Sequence, residues 1–417
     1  MNTRWGWSAP HKITVWCWYF TAIAAPTLSF FARGGLPYLL ILTATVMVLA
    51  EPARLAAGYR RSQPLGLVSL GFVVFSACSI FYGVLPERAG TLSFYFLLGW
   101  LSWVILSEAR MAPAETRRML QLLLGTVVLW YAVYTIDAWK GYPIASDYAA
   151  KTGEVFGLHL FNRPLTFCAL LLLPVMFWPG LAMFWRYAIG IGAAAILFTS
   201  TCETAMVSFA ATLVGVVVVL LLPRPNVFLR AVVVMATVLV LGLPALSRQL
   251  PVESPDFMSA LRFTSFQHRL FYWDNASRLT LKAPVLGYGG EASRYFSEIP
   301  DPRPQKVYVD GEAVYSIDGK LLGVHPHNGV IQLWLEYGAV GALFCLAGLW
   351  CWYRYWMSAR DRQTQAARFA LFSAVFVVMN AAWGAWQTDW VAIIILTAVF
   401  NTRLEDAVMG ERAERTT

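Results

Sequence analysis

Charge is what this sequence has least of. Lys, Arg, Asp and Glu make up 13% of 417 residues, while 58% are hydrophobic. A soluble domain carries about twice that share of charge, so a water-facing globule is excluded. Cysteine is sparse as well. Cys17, Cys78, Cys168, Cys202, Cys345 and Cys351 lie in or beside apolar runs, and none lies in the one long polar stretch. That placement indicates neither a disulfide framework nor a zinc motif. No basic run is interleaved with aromatics, so the net charge of +8 does not point to nucleic acid. There is no internal repeat, linker or low-complexity tract. No small-residue cleavage site follows the first apolar run, which reads as a membrane helix rather than a removed leader.

What is present is a series of apolar runs, each close to the length that crosses a bilayer. About twelve spans are expected, over 13–32, 36–53, 65–84, 91–108, 119–139, 157–178, 183–200, 203–222, 226–246, 327–353, 366–386 and 388–402. The fold class is therefore an all-α integral membrane protein, because helices satisfy the backbone in lipid. Arginine sets the orientation. Arg54, Arg60 and Arg61, then Arg110, Arg117 and Arg118, then Arg224 and Arg230, then Arg354 to Arg368 fall in alternate loops. The other short loops hold only Arg33, Arg88, Lys140 and Lys151. The bias puts both termini in the cytoplasm and segment 247–326 outside, which is the periplasm if the cell is Gram-negative. The expected organisation is helices in 1–246, an outer cap in 247–326, and helices with a tail in 327–417.

The cap is too long to be a mere connection. Ser254 to Leu281 has helical spacing, and Lys306 to Tyr315 with Asp310-Gly311 is a hairpin signal. Its arginines read mostly as solvated surface. Arg269 is set apart, because it lies in Gln267-His268-Arg269-Leu270-Phe271-Tyr272-Trp273, on a helix with an aromatic face. A guanidinium fork suits phosphate.

The cap ends on Gly323-Val324-His325-Pro326-His327-Asn328-Gly329. His327 stands at or just before a helix start. The positive end of the dipole disfavours imidazolium, keeping His327 neutral and able to take a proton, and it attracts anions. His325 either supports His327 or touches substrate; with no Asp, Glu or Cys at ligand spacing, the pair is not a metal motif. Within the spans, polar residues are costly and so stand out. Arg163 either snorkels to the surface or lines a cavity with Arg269. Glu203 is a helix-start carboxylate or a partner for an arginine. Asp389 caps a helix or orients a histidine or arginine. Glu336 reads as a packed polar residue.

His327-Asn328-Gly329-Val330-Ile331-Gln332-Leu333 followed by Glu336-Tyr337-Gly338-Ala339-Val340-Gly341 resembles the signature of the O-antigen ligase and polymerase superfamily. Arg269, Trp273 and Pro284-x-x-Gly287-x-Gly289 resemble that family's loop motif. Family members often carry a Ser-Arg or Thr-Arg pair near 200–204; here the chain reads Thr201-Cys202-Glu203-Thr204, and Arg163 is the candidate to supply the missing charge. The resemblance implies a GT-C-like glycosyltransferase of the bacterial inner membrane, needing no metal or cofactor. It would move a glycan from undecaprenyl diphosphate to a sugar hydroxyl of lipid A–core. His327 would be the base, Arg269, Arg163 and the helix end would hold the diphosphate, and His325, Asn328, Trp273, Asp389 and Glu203 would support them. A polymerase or a protein O-glycosylating ligase shares the motif. A lipid-linked oligosaccharide transporter is the reading from another class.

Overall fold

The computed structural model describes residues 9–152, 158–178, 180–199, 203–261, 264–301, 303, 306–309, 311–316, 319–381 and 384–416. The helices are α1 (Ala9–Phe31), α2 (Leu36–Ala50), α3 (Ala53–Ser62), α4 (Leu65–Cys78), α5 (Pro86–Glu108), α6 (Pro113–Trp139), α7 (Pro143–Thr152), α8 (Asn162–Met176), α9 (Met183–Thr199), α10 (Glu203–Leu221) and α11 (Pro225–Ser247). Then come α12 (Pro255–Ser259), α13 (Thr264–Thr280), α14 (Ala292–Phe296), strands β1 (Lys306–Val309) and β2 (Glu312–Ser316), and helices α15 (Gly329–Met357), α16 (Arg362–Ala381) and α17 (Thr388–Thr416). Proline opens α5, α6, α7 and α11, where its missing N–H costs nothing.

A helix lies in each of the twelve expected spans. Eight helices among the described residues are long and apolar enough to cross a membrane, and α4, α8 and α9 are shorter apolar helices. Their outward faces carry Trp16, Leu49, Phe184 and Val234 exposed, as a lipid-facing surface requires. The chain is a multi-pass, all-α membrane protein. Several expected boundaries shift. The span 65–84 ends at Cys78, and 366–386 ends at Ala381, leaving 384–387 outside any helix. The expected starts at 91 and 119 move back to Pro86 and Pro113. Pro179 and Thr201-Cys202, where two other boundaries were expected, lie outside the described residues.

The principal core joins α1, α2, α6, α8 and α17 around Trp18, Leu120, Phe167, Trp390 and Phe400. A second links α10, α11, α15 and α16 through Val219, Leu229, Trp356 and Phe369. The cap packs on α15: Ala276, Phe296 and Leu322 meet Ile331 and Leu335. β1 and β2 pair antiparallel across Gly311 at φ +86°; Asp310 lies outside the described residues. Buried Gln267 acts as an extra strand edge, donating to Tyr308 O and accepting from Tyr308 N at 2.8 and 2.9 Å.

Two arginines of the cap partner a buried carboxylate, Arg278 while staying exposed as expected and Arg303 while partly buried. Arg303 and Arg278 both pair with Asp274, at 2.7 and 2.9 Å, and the Asp274 side chain is 0% exposed. A buried carboxylate needs such partners.

Candidate functional site

α15 is not one continuous helix. Gly338 takes φ +57°, ψ −152°, and the turn 284–289 inserts at the break. A helix would bond Ala339 N to Leu335 O and Val340 N to Glu336 O. Here Ala339 and Val340 donate to Pro284 O and Val285 O at 2.8 and 3.2 Å. The freed Leu335 O and Glu336 O accept from Tyr288 N and Gly289 N at 3.0 and 2.8 Å. Every displaced group is satisfied by exchange. The glycines follow from the closeness. A Cβ on Gly287 would lie 2.5 Å from the Glu336 carbonyl carbon, and one on Gly338 would lie 2.5 Å from that of Val285. The two glycine-bearing motifs are thus halves of one joint between cap and helix.

Glu336 sits at that joint, fully buried. Its carboxylate accepts from Ser293 Oγ (2.7 Å), Gln332 Nε2 (3.0 Å), Glu291 N (3.0 Å) and Trp386 Nε1 (2.7 Å). Gln332 Oε1 in turn accepts from Ala385 N at 2.9 Å. The joint therefore fixes the non-helical segment 384–387 against α15. That segment carries His325: the Gln387 amide meets His325 Nε2 at 3.3 Å, and Gly384 lies under the imidazole, where a Cβ would come within 3.0 Å of the ring.

The His325 and His327 rings meet edge to face, centroids 4.3 Å apart. Burial, then His327, then the charges of Arg163 and Arg294 pull the His325 ring down to about 3, so it is neutral. His327 has φ +54°, a left-handed conformation uncommon outside glycine but one that histidine adopts more readily than most residues. Asn328 follows as the N-cap of α15, its Oδ1 accepting from Ile331 N at 3.0 Å. Val330 N donates to Asn380 Oδ1 at 3.2 Å. The N–H groups of Val330 and Ile331 at this helix start are thus taken by side chains. Arg163 and Arg294 add positive charge near His325.

Trp273 Nε1 donates to Pro326 O at 2.8 Å, tying α13 to the histidine loop. Arg269 is one helical turn before Trp273 on the same face, and it is half-buried. Arg163 opens α8 and donates to Asp389 Oδ2 at 3.1 Å; Asp389 Oδ1 accepts from Trp390 N at 2.9 Å. Glu203 does not serve Arg163. It begins α10 and accepts from Ser265 Oγ at 3.2 Å, at the start of α13. His325, His327, Asn328, Trp273, Arg163 and Asp389 are thus brought into one neighbourhood, with Arg269 on the face that reaches it. Sequence reasoning passed over Arg294, Gln332, Trp386 and Gln387. Gln332 and Glu336 gave a signal, since two polar residues four apart share one face of an apolar span. No group of three or more potential metal ligands occurs among the described residues.

A half-buried histidine pair stands on the loop that caps α15, at one end of an apolar helix bundle, with Arg163 and Arg294 near enough for their charges to act on His325. A family model described as O-antigen ligase matches residues 188–346, from α9 through the joint at Gly338. A "Putative polysaccharide ligase" of Rickettsia felis is 26% identical over 202 residues, 47% of each chain. A protein of the same description from Rickettsia typhi is 22% identical over 245 residues, 57% of this chain and 56% of its own. The chain thus spans about half the length of the curated relatives it matches. Segment 188–346 is thus similar to the O-antigen ligase family. His327, Arg269, Trp273 and Glu336 fall inside the matched segment; Arg163 and Asp389 lie outside it.

Proposed function

We propose that this protein transfers a glycan from undecaprenyl diphosphate to a sugar hydroxyl of lipid A–core, at the periplasmic face of the bacterial inner membrane. In this reading the chain crosses the membrane twelve times with both termini in the cytoplasm, as the arginine bias favours; residues 1–246 and 327–417 hold the lipid, and 247–326 cover its headgroup. One observation carries the reading: a histidine loop held by Trp273, Gln387 and Asn328 lies within the field of Arg163 and Arg294, at the mouth of an apolar bundle.

His327 removes the proton of the acceptor hydroxyl. The hydroxyl oxygen attacks the anomeric carbon as the bond from that carbon to the phosphate oxygen breaks. The bonding pair leaves with the diphosphate, and one attack from the opposite face inverts the centre. Arg269 and Arg163 stabilise the charge that grows on the leaving group. Asp389 orients Arg163, and His325 packs against His327 as a neutral wall.

The test is reconstitution in proteoliposomes with separate donor and acceptor lipids, with and without EDTA. Glycan on lipid A–core, undiminished by EDTA, is the expected product. Transfer to a second polyprenyl-linked glycan would make the protein a polymerase. Loss of transfer restored by a divalent ion would overturn the metal-independent mechanism.

A further inference from the structure

At the same end of the bundle as Arg163 lies a cavity of about 230 Å³ that the mechanism does not use. Pockets for drug-sized ligands run from about 300 Å³ upwards, so this one has room for a single small ring. Its walls are aromatic. Phe31 ends α1, Trp130 and Tyr134 are one turn apart on α6, Tyr148 comes from α7, and Phe161 precedes α8. The rings brace one another: Phe31 stands edge-on to Trp130 at 4.8 Å and Tyr134 edge-on to Phe161 at 4.9 Å. Tyr148 Oη donates to Phe31 O at 3.2 Å, holding α7 across the cavity.

Arg33 also lines the cavity, half-buried. Its side chain makes no hydrogen bond or ion pair among the described residues. The nearby carboxylate, Asp137, is already committed to Ile144 N and Ala145 N, at 2.7 and 3.2 Å. The charge of Arg33 bears on Arg163, whose own partner is Asp389. Arg33 thus opposes the charge of Arg163, while the Asp389 carboxylate is hydrogen-bonded by Arg163. That imbalance favours an incoming anion. The apolar C–H face of a pyranose suits the negative face of an aromatic ring.

Resting on the function proposed above, we infer that this cavity is a subsite for one acidic sugar of a glycan substrate, its ring against Trp130 and Tyr134 and its carboxylate or phosphate on Arg33. The site selects which glycan is accepted, beside the centre that transfers it.

The test uses the full chain in lipid nanodiscs and three probes: methyl β-glucuronide, methyl β-glucoside and inorganic phosphate. Saturation-transfer NMR should show the ring protons of the glucuronide bound to the wild type, at least fivefold more strongly than the glucoside. Arg33→Gln and Arg33→Glu should erase that preference, and Arg33→Lys should restore part of it. Equal signals from the two sugars, or displacement of the glucuronide by phosphate alone, would overturn the subsite. In the transfer assay Arg33→Gln should raise KM about tenfold for one substrate with kcat kept; the substrate affected, donor or acceptor, is the one that bears the acidic sugar. Unchanged KM for both overturns the proposal. Wild type that binds glucuronide yet transfers nothing leaves the subsite standing and removes the transferase reading.

Discussion

The indole of Trp273 donates to the carbonyl oxygen of Pro326 over 2.8 Å, so the cap helix α13 sets the position of the residue just before His327. Trp273→Phe keeps an aromatic ring, though a smaller one, and deletes this bond. The bond contributes about 0.5–1.5 kcal/mol, so the melting temperature should move little. A small displacement of a catalytic group costs far more in rate, and kcat should fall roughly tenfold. An unchanged kcat in the reconstituted assay would show that His327 does not depend on α13.

His327→Ala should abolish transfer while the protein still inserts and melts as the wild type does. The left-handed backbone at this position is no obstacle to insertion, because the strain of order 1–3 kcal/mol is already present. Transfer at the wild-type rate would remove His327 as the base.

Arginine geometry can be separated from arginine charge. Arg269→Lys keeps the charge and loses the fork, so donor KM should rise and kcat should fall, each by about tenfold. Arg163→Met has a second consequence. It leaves buried Asp389 without its partner, which typically costs about 3–5 kcal/mol, and the melting temperature should drop with activity. Equal stability in that variant would mean the pair is dispensable to the fold.

The joint between cap and α15 is tested by its glycines. Gly287→Ala and Gly338→Ala each force a Cβ to 2.5 Å from a backbone carbon at positive φ. Each should cost several kcal/mol, judged against a usual ceiling of about 4–5 for single changes. Gly125→Ala meets nothing within 4 Å and should be neutral or slightly stabilising. Thermal melts of the purified proteins in detergent decide it, and similar values for all three would dismiss the joint.

His325 gives a pH signature. Burial and the nearby positive charges lower its ring from 6.5 to about 3. The unfolded ring takes a proton as pH falls through 6.5, while the folded ring stays neutral until about 3. Folding is therefore unopposed by this group above pH 6.5 and increasingly opposed from there down to 3. The melting temperature of the wild type minus that of His325→Gln should shrink between pH 7 and pH 4. A constant difference across that window would mean His325 is not held neutral by the fold.

Much of this molecule is written in its composition. Low charge and recurring apolar runs dictate membrane helices, since no other element satisfies its backbone in lipid. Asn328 announces the start of α15, because a side-chain oxygen in that position accepts from the first turn. His327 and Arg269 stand out in the sequence by residue type and place, and Trp273 only through the family resemblance. The tertiary structure decided the rest, for a reason of range: helical period reports neighbours three and four residues away and nothing farther. That Arg163 meets Asp389 across 226 positions, that Arg303 is bound to buried Asp274 rather than to water, and that Glu336 gathers donors from 291, 293, 332 and 386 depends on which helices pack together. The break at Gly338 was invisible too, because the turn that takes over its hydrogen bonds lies some fifty residues upstream.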